Sequence, residues 1–178
     1  MPKPLLNQLV QLDSVFHLND WNINFTRLPS GFATGTLPQN LNIRAYTVDL
    51  PRWNVNPIQI DIRGHRFFIP GDKEFDSTIT LQLHETTDAV VLEFFRAWAE
   101  AIYATNTGAK GNPAWTQLKG DIQMVLLDRQ LNPKWEYMVY GVWVQSIDLG
   151  GQLTGDKGAD IVRPTATLNF DWFTNKKL

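Results

Sequence analysis

The stretch PGDKEFDSTITLQLHETTDAVVLEFFRAWAEAIY, Pro70 to Tyr103, decides the fold. Pro70-Gly71-Asp72 supplies residues that pre-set or permit turn dihedrals, so the stretch reads as opening on a turn. From Phe75 to Leu83 apolar and polar residues alternate, with Phe75, Ser77, Ile79, Leu81 and Leu83 set against Asp76, Thr78, Thr80 and Gln82. That is the period of a half-buried strand. At Glu85-Thr86-Thr87-Asp88 the period changes, and Thr86, Thr87 or Asp88 each suits the cap of a helix N-terminus. Val91, Phe95, Trp98 and Ile102 then recur at helical spacing, widened by Leu92, Phe94 and Tyr103. A helix with so broad an apolar stripe must lie on a sheet.

The rest of the chain supplies that sheet. Trp21 to Thr26 alternates, and LPSGFATGTLPQN (28–40) reads as a loop. Leu41 to Val48 alternates again. Val55 to Ile69 carries Ile58, Ile60 and Ile62 at period two, with Gly64 as a bend or bulge site. After the helix comes a glycine-rich loop (105–113). Asp121 to Asp128 and Trp135 to Ile147 then form a long hairpin. Val139, Tyr140, Val142, Trp143 and Val144 crowd around Gly141, which predicts a strand covered on both faces. Thr165 to Phe173 closes the chain as a last alternating strand, with a frayed tail at Asn175 to Leu178. About seven strands and one main helix predict a mainly β fold, an antiparallel sandwich or half-barrel with one flanking α-helix.

At 178 residues the chain fits one domain and can bury about 70% of its unfolded surface. Residues 1–20 read either as an N-terminal arm docking on a neighbouring subunit or as a disordered terminus. Leu5, Leu9, Leu12 and Phe16 fit an amphipathic helix, while Pro2 and Pro4 favour an extended start. Residues 150–160 read as a flexible loop. The charged fraction is 19%, below the roughly 25% of an ordinary domain. Seven Trp and ten Phe are many for this length. Few charges and many aromatics fit either a large aromatic core or surface reserved for protein contacts.

Formal net charge is −2 with Lys and Arg scattered, so no basic footprint for nucleic acid exists. The chain has no cysteine, which excludes a disulfide framework and thiol chemistry. No segment reads as a signal peptide or a membrane span, and the expectation is a soluble protein made in the cytoplasm.

No residue is assigned a catalytic, cofactor-binding or metal-binding role. His17, His65 and His84 are isolated. His84-Glu85 begins like the zinc-protease motif, but its second histidine would fall at Asp88. Gly150 and Gly155 have phosphate-loop spacing, yet Asp156 stands where lysine is required and a strand follows. No G-x-S-x-G elbow occurs, and nothing singles out a carboxylate pair among 18 acids.

With this block of strand, turn, strand and helix in place, the chain resembles the tail tube proteins of contractile-tailed bacteriophages. The residues that carry the resemblance are Val48-Asp49-Leu50-Pro51, the strand Ile58 to Ile62, the segment Pro70 to Asp76, and the helix aromatics Phe94, Phe95 and Trp98. A closing aromatic strand, Leu168 to Phe173, follows the same pattern. The match covers residues 41–105 well, the C-terminal hairpin and strand loosely, and the first 40 residues poorly.

The resemblance implies a single tail-tube domain over residues 1–178 that assembles as hexameric rings stacked into a hollow tube. Each subunit's sheet would join its neighbours' in one β-lined channel for DNA and the tape-measure protein. The implied partners are the subunit itself, the tail sheath, the baseplate or initiator, and the tape-measure protein, within a virion. DNA would pass without sequence-specific binding, over a channel face that is net acidic or neutral. A tube or tube-initiating subunit of a related injection particle, as in type VI secretion, is the near alternative. From a different class, a glycan-binding β-sandwich would stack exposed Trp115 or Trp135 on sugar rings.

Overall fold

One bent strand joins the two sheets of this protein. The computed structural model describes residues 19–29, 41–104, 108, 114–148 and 161–178. In chain order the elements are β1 (Trp21–Arg27), α1 (Leu41–Arg44), β2 (Ala45–Val48), β3 (Trp53–Ile62), β4 (His65–Phe75), β5 (Thr78–Leu83) and α2 (Val90–Ile102). Then follow α3 (Trp115–Leu118), β6 (Gly120–Leu127), β7 (Pro133–Asp148), β8 (Thr165–Asn169) and β9 (Trp172–Lys177). His17, nearly all of the expected N-terminal arm, the 150–160 loop and most of loops 28–40 and 105–113 lie outside the described residues.

All strand pairs are antiparallel. The first half of β7 lies between β6 and β9, with β1 beyond β6. Its second half pairs with β8, and β5 and β2 follow. Two four-stranded sheets therefore share β7, and β3 with β4 forms a separate hairpin. The mainly β class with a flanking helix holds, as a sandwich whose described strands do not close into a barrel.

The bend in β7 is at Gly141. Asp121 pairs with Tyr140 but Gly120 with Val142, so Gly141 is an extra residue relative to β6. Its φ of +68 lies in the left-handed region, open to glycine without steric cost. A glycine bulge of this kind kinks a strand and lets it pass from one sheet to another. It also inverts the side-chain parity. Val139 is buried before the bulge, Val142 and Val144 after it. The expectation of a strand covered on both faces is thus corrected: β7 has one core face at a time, and the extra residue switches which positions supply it.

The core lies between the two sheets and α2. Val91, Phe94, Phe95 and Trp98 of the helix are buried together with Ile23, Ile79, Leu81, Ile122, Val139 and Leu168 of the strands. Each such side chain contributes about 1.5–3 kcal/mol through removal from water. Phe25 meets Phe94 and Trp98 edge-on, with both centroids 6.1 Å away. The Trp98 indole N–H donates to the Leu118 carbonyl at 2.8 Å, which fixes α3 against α2.

Several local expectations are corrected. The N-cap of α2 is Ala89 in a left-handed conformation, and no side chain caps it from that position. Glu85 does that work from outside the helix, accepting the N–H groups of Val91 (3.4 Å) and Leu92 (2.7 Å). Pro70-Gly71-Asp72 is not a turn; it lies inside β4. The turn falls instead at Arg63-Gly64, both at positive φ (48° and 84°), which splits the expected 55–69 strand into a hairpin. The C-terminal tail is not frayed. It forms β9 along β7, ending with the Leu178 N–H on the Lys134 carbonyl at 3.0 Å. Leu41–Arg44 is a helical turn rather than strand.

Candidate assembly surfaces

Among the described residues, the sheet β1-β6-β7-β9 has two open edges, β1 and β9. Since each pair is antiparallel, β1 runs with β7 and β9 runs against it. Two copies side by side in one orientation would bring β9 against β1 as antiparallel neighbours. Hydrogen bonds in an antiparallel pair alternate along each strand. Leu178 donates to Lys134, and Lys176 and Thr174 stand opposite Glu136 and Met138 in the same register. The N–H groups of Phe173 and Asn175 therefore point outward, toward the open edge. Unpaired edges of this kind template pairing with another chain unless they are blunted.

The face of this sheet turned away from the core is mixed: Val125, Met138 and the stacked pair Tyr140 and Trp172 share it with polar and charged side chains. Asn22, Asn24 and Thr26 stand exposed on β1. The Glu136 carboxylate is nearly buried there, accepting from Gln123 Nε2 and from Lys176 Nζ at 2.8 Å. Lys176 and then Gln123 hold its pKa below the ordinary carboxylate range. At the end of the face, Arg27 grips Asp121 with a two-pronged contact, Nε at 2.6 Å and Nη2 at 2.9 Å. The Asp121 pKa is lowered by these Arg27 bonds and by the Gly141 N–H (3.0 Å), against partial burial. Both carboxylates are thereby neutralised by a cation.

The hairpin β3–β4 stands apart. Nearly all its residues are exposed. An isolated two-stranded hairpin is marginal in water, so its base must be anchored. Phe75 stacks on Phe170 at 6.0 Å and meets Phe173 edge-on at 6.1 Å, and the Asp76 N–H donates to the Arg52 carbonyl at 3.1 Å. Beyond that base the hairpin is amphipathic. Ile58 pairs with Ile69, Ile60 with Phe67 and Ile62 with His65 on one face. Gln59 pairs with Phe68 and Asp61 with Arg66 on the other, where Asp61 accepts from Gln59 at 2.7 Å and from Arg66 at 3.3 Å.

A register shift inserts one extra residue in β4 between Lys73 and Pro70. Gly71 sits there, and a Cβ on it would lie 2.6 Å from the Asn56 oxygen and 2.8 Å from Ile58 Cγ1. Below the shift the apolar side changes. Trp53, Val55 and Phe75 lie on the face that carries Gln59 and Asp61 further out, and Lys73 Nζ covers the Trp53 ring at 4.6 Å. Trp53, Lys73, Phe75, Trp172, Phe173, Thr174 and Asn175 bound a cavity of about 430 Å³ between the hairpin base and the open β9 edge.

Among the described residues, the two histidines are not brought together with a metal-binding group. His65 is exposed at the hairpin tip, while His84 is tucked against Tyr46 with centroids 5.0 Å apart. No group of three His, Asp or Glu side chains able to hold a metal occurs among the described residues. The two tryptophans considered for sugar stacking differ. Trp115 is exposed and flanks an apolar cleft of about 240 Å³ with Ile102, Leu118 and Trp143. Trp135 is half-buried with its indole nitrogen covered. Sequence reasoning missed the hairpin and the β9 edge. Apolar residues placed symmetrically about Arg63-Gly64, Ile58 with Ile69 and Ile60 with Phe67, were the available signal.

No protein-family model and no curated protein matches the sequence. Solved structures do. The chain is similar to a chain of the anti-feeding prophage baseplate, at 11% identity and a TM-score of 0.61 over 93% of this chain and 97% of that one. It is similar to a chain of the anti-feeding prophage tube terminating cap, at 16% identity and a TM-score of 0.60 over 94% of each. A third likeness is to the sheath-tube complex of the PVC extracellular contractile injection system in its extended state. There identity is 15% and the TM-score 0.59, over 99% of this chain and 100% of that one. The fold is that of chains found in the tubes, caps and baseplates of contractile injection particles.

Proposed function

We propose that this chain is a structural subunit of the tube of a contractile injection particle, with assembly rather than catalysis as its task. The observation that carries the reading is the pair of open, oppositely running edges on the four-stranded sheet β1-β6-β7-β9. Rotation of one copy into the next pairs β9 with β1, and repetition closes a ring whose sheet has no free edge. The resemblance to phage tail tube proteins supplies the finer form: hexameric rings, stacked into a hollow channel, within a virion and inside a sheath set on a baseplate. In that arrangement the face bearing Asn24, Gln123 and Glu136 lines the channel. Its carboxylates are matched by Lys176 and Arg27, so it offers passing DNA phosphates little to hold them.

The edge pairing is testable with one substitution. Proline lacks a backbone N–H, and at Asn175 the lost N–H points away from β7. The Asn175→Pro variant keeps its fold, read by circular dichroism, and fails to form the rings or tubes that the wild-type chain forms in negative-stain images. Assembly unchanged by the proline sinks the edge-closure reading.

A related tube-initiating, capping or baseplate subunit shares the same edges and is separated by what the chain assembles on. The likeness to cap and baseplate chains favours keeping that reading.

A further inference from the structure

We infer that the recess at the Gly141 end of the sheet β1-β6-β7-β9 is a saccharide-binding site, selective for a neutral sugar that carries an acetamido group. The inference stands on the recess itself and goes beyond the tube-subunit reading, whose outward Phe173 and Asn175 N–H groups it does not use.

The recess has a volume of about 280 Å³ and brings aromatic faces and polar groups together. Tyr140 and Trp172 stand opposite each other on β7 and β9 and stack, with centroids 4.1 Å apart and planes 15° from parallel. Trp172 is 50% exposed and Trp115 71%, so the recess presents two open indoles. Aromatic walls with a few convergent polar groups in a concave site are the usual make-up of a small-ligand pocket. A pyranose ring suits such walls. Its C–H face covers an aromatic ring through apolar and dispersion contact, while its hydroxyls reach the rim.

The polar groups set the charge of the ligand. Arg27 pairs with Asp121 at 2.6 Å and Lys119 with Asp171 at 2.7 Å, so the cations and carboxylates of the recess cancel. A nucleotide phosphate meets no spare cation there, and a cationic ligand meets no spare carboxylate. Hydrogen-bonding capacity remains. Arg27 donates from Nε and Nη2 to Asp121 and from Nη1 to the Thr116 carbonyl, and among the described residues each Nη keeps a second N–H to donate. Asp171 accepts from Lys119 on both oxygens and still has lone pairs to offer. The Arg27 and Asp171 side chains are each 49% exposed, so both can be reached. A charge-balanced set of donors and acceptors takes a neutral polyol, whose hydroxyls donate and accept at once. The acetamido group follows from the neighbouring cleft. Trp115 and Lys119 line both the recess and the apolar 240 Å³ cleft that Ile102 and Trp143 complete, so the two hollows share a wall. A sugar with its ring in the recess and an acetamido methyl in the cleft fills both.

Fluorine NMR of the full chain labelled with fluorotryptophan tests the site without any variant that must fold. The probe is triacetylchitotriose, titrated to millimolar concentration. The Trp115 and Trp172 resonances are expected to move, and that of Trp53, which lies outside the recess, to stay. By calorimetry, Trp115→Ala and Trp172→Ala each raise the dissociation constant tenfold or more, while Trp53→Ala leaves it within about twofold. Thermal unfolding reports whether each variant folds. Unmoved Trp115 and Trp172 resonances in the wild-type chain overturn the site. An equal response to cellotriose, which has hydroxyls but no acetamido groups, overturns the selectivity. A response to thymidine monophosphate with none to the chitotriose overturns the saccharide and makes the recess a nucleotide site. Each of these results leaves the strand-edge reading where it stood, because ring formation by the Asn175→Pro variant is read separately.

Discussion

A methyl group on Gly141 tests the bend of β7 at a single atom. That Cβ would stand 2.1 Å from Asp171 Oδ2, on a residue with φ +68. Asp171 is itself held by Lys119 Nζ at 2.7 Å to both oxygens. Left-handed backbone costs a non-glycine residue about 1–2 kcal/mol before any clash. Gly141→Ala is therefore expected to lower unfolding free energy by about 2–3 kcal/mol in urea titrations. An unchanged midpoint contradicts the glycine bulge. Glu136 makes a second prediction at this scale. Lys176 and Gln123 depress its pKa in the folded state, so the folded chain binds its proton less readily than the unfolded chain. Stability from this group is complete above the unfolded carboxylate pKa and is lost as pH falls through the lower folded value. Glu136→Gln removes that dependence. Its urea midpoint should fall less steeply than the wild type's between pH 5 and pH 3, on the order of the ordinary carboxylate range; parallel slopes contradict the Lys176–Glu136 pairing. The same residues show what a sequence conceals. Gly141 was visible as a glycine in an apolar run, but its bulge inverts parity, so a strand with one core face looked apolar on both.

At the scale of elements, those with clean periodicity were legible and those shaped by single residues were not. β5 and α2 follow directly from the alternation at 75–83 and the stripe Val91, Phe95, Trp98 and Ile102, because burial on one face dictates such spacing. The helix start was misplaced because Glu85, five residues before Val90, reaches the first-turn N–H groups with its longer side chain. Hairpin β3–β4 was hidden for a related reason. Its turn puts an arginine, not Asn or Asp, at the first left-handed position, so the usual Asn-Gly signal was missing. β9 read as a tail because Asn175, Lys176 and Lys177 are polar; their ladder to β7 is a backbone property that side-chain patterning does not report. The candidate surfaces fell largely in these unread places, since an edge or an unpartnered face only exists once strands are paired.

For the whole molecule, the two sheets that share β7, the open β1 and β9 edges and the exposed β3–β4 hairpin are the features that the proposed tube subunit would complete against its neighbours. Exposed Trp53, Phe67, Phe68 and Trp172 give physical content to a composition rich in aromatics and poor in charge, since aromatic anchors and few charges mark interface cores. The most direct measurement is electron microscopy of the purified chain, imaged dilute, concentrated, and concentrated again with a baseplate assembly as template. The proposed tube-subunit reading predicts closed rings or hollow tubes whose class averages show one rotational symmetry and a continuous inner wall. Featureless single subunits under all three conditions would contradict a tube subunit built on the β1 and β9 edges.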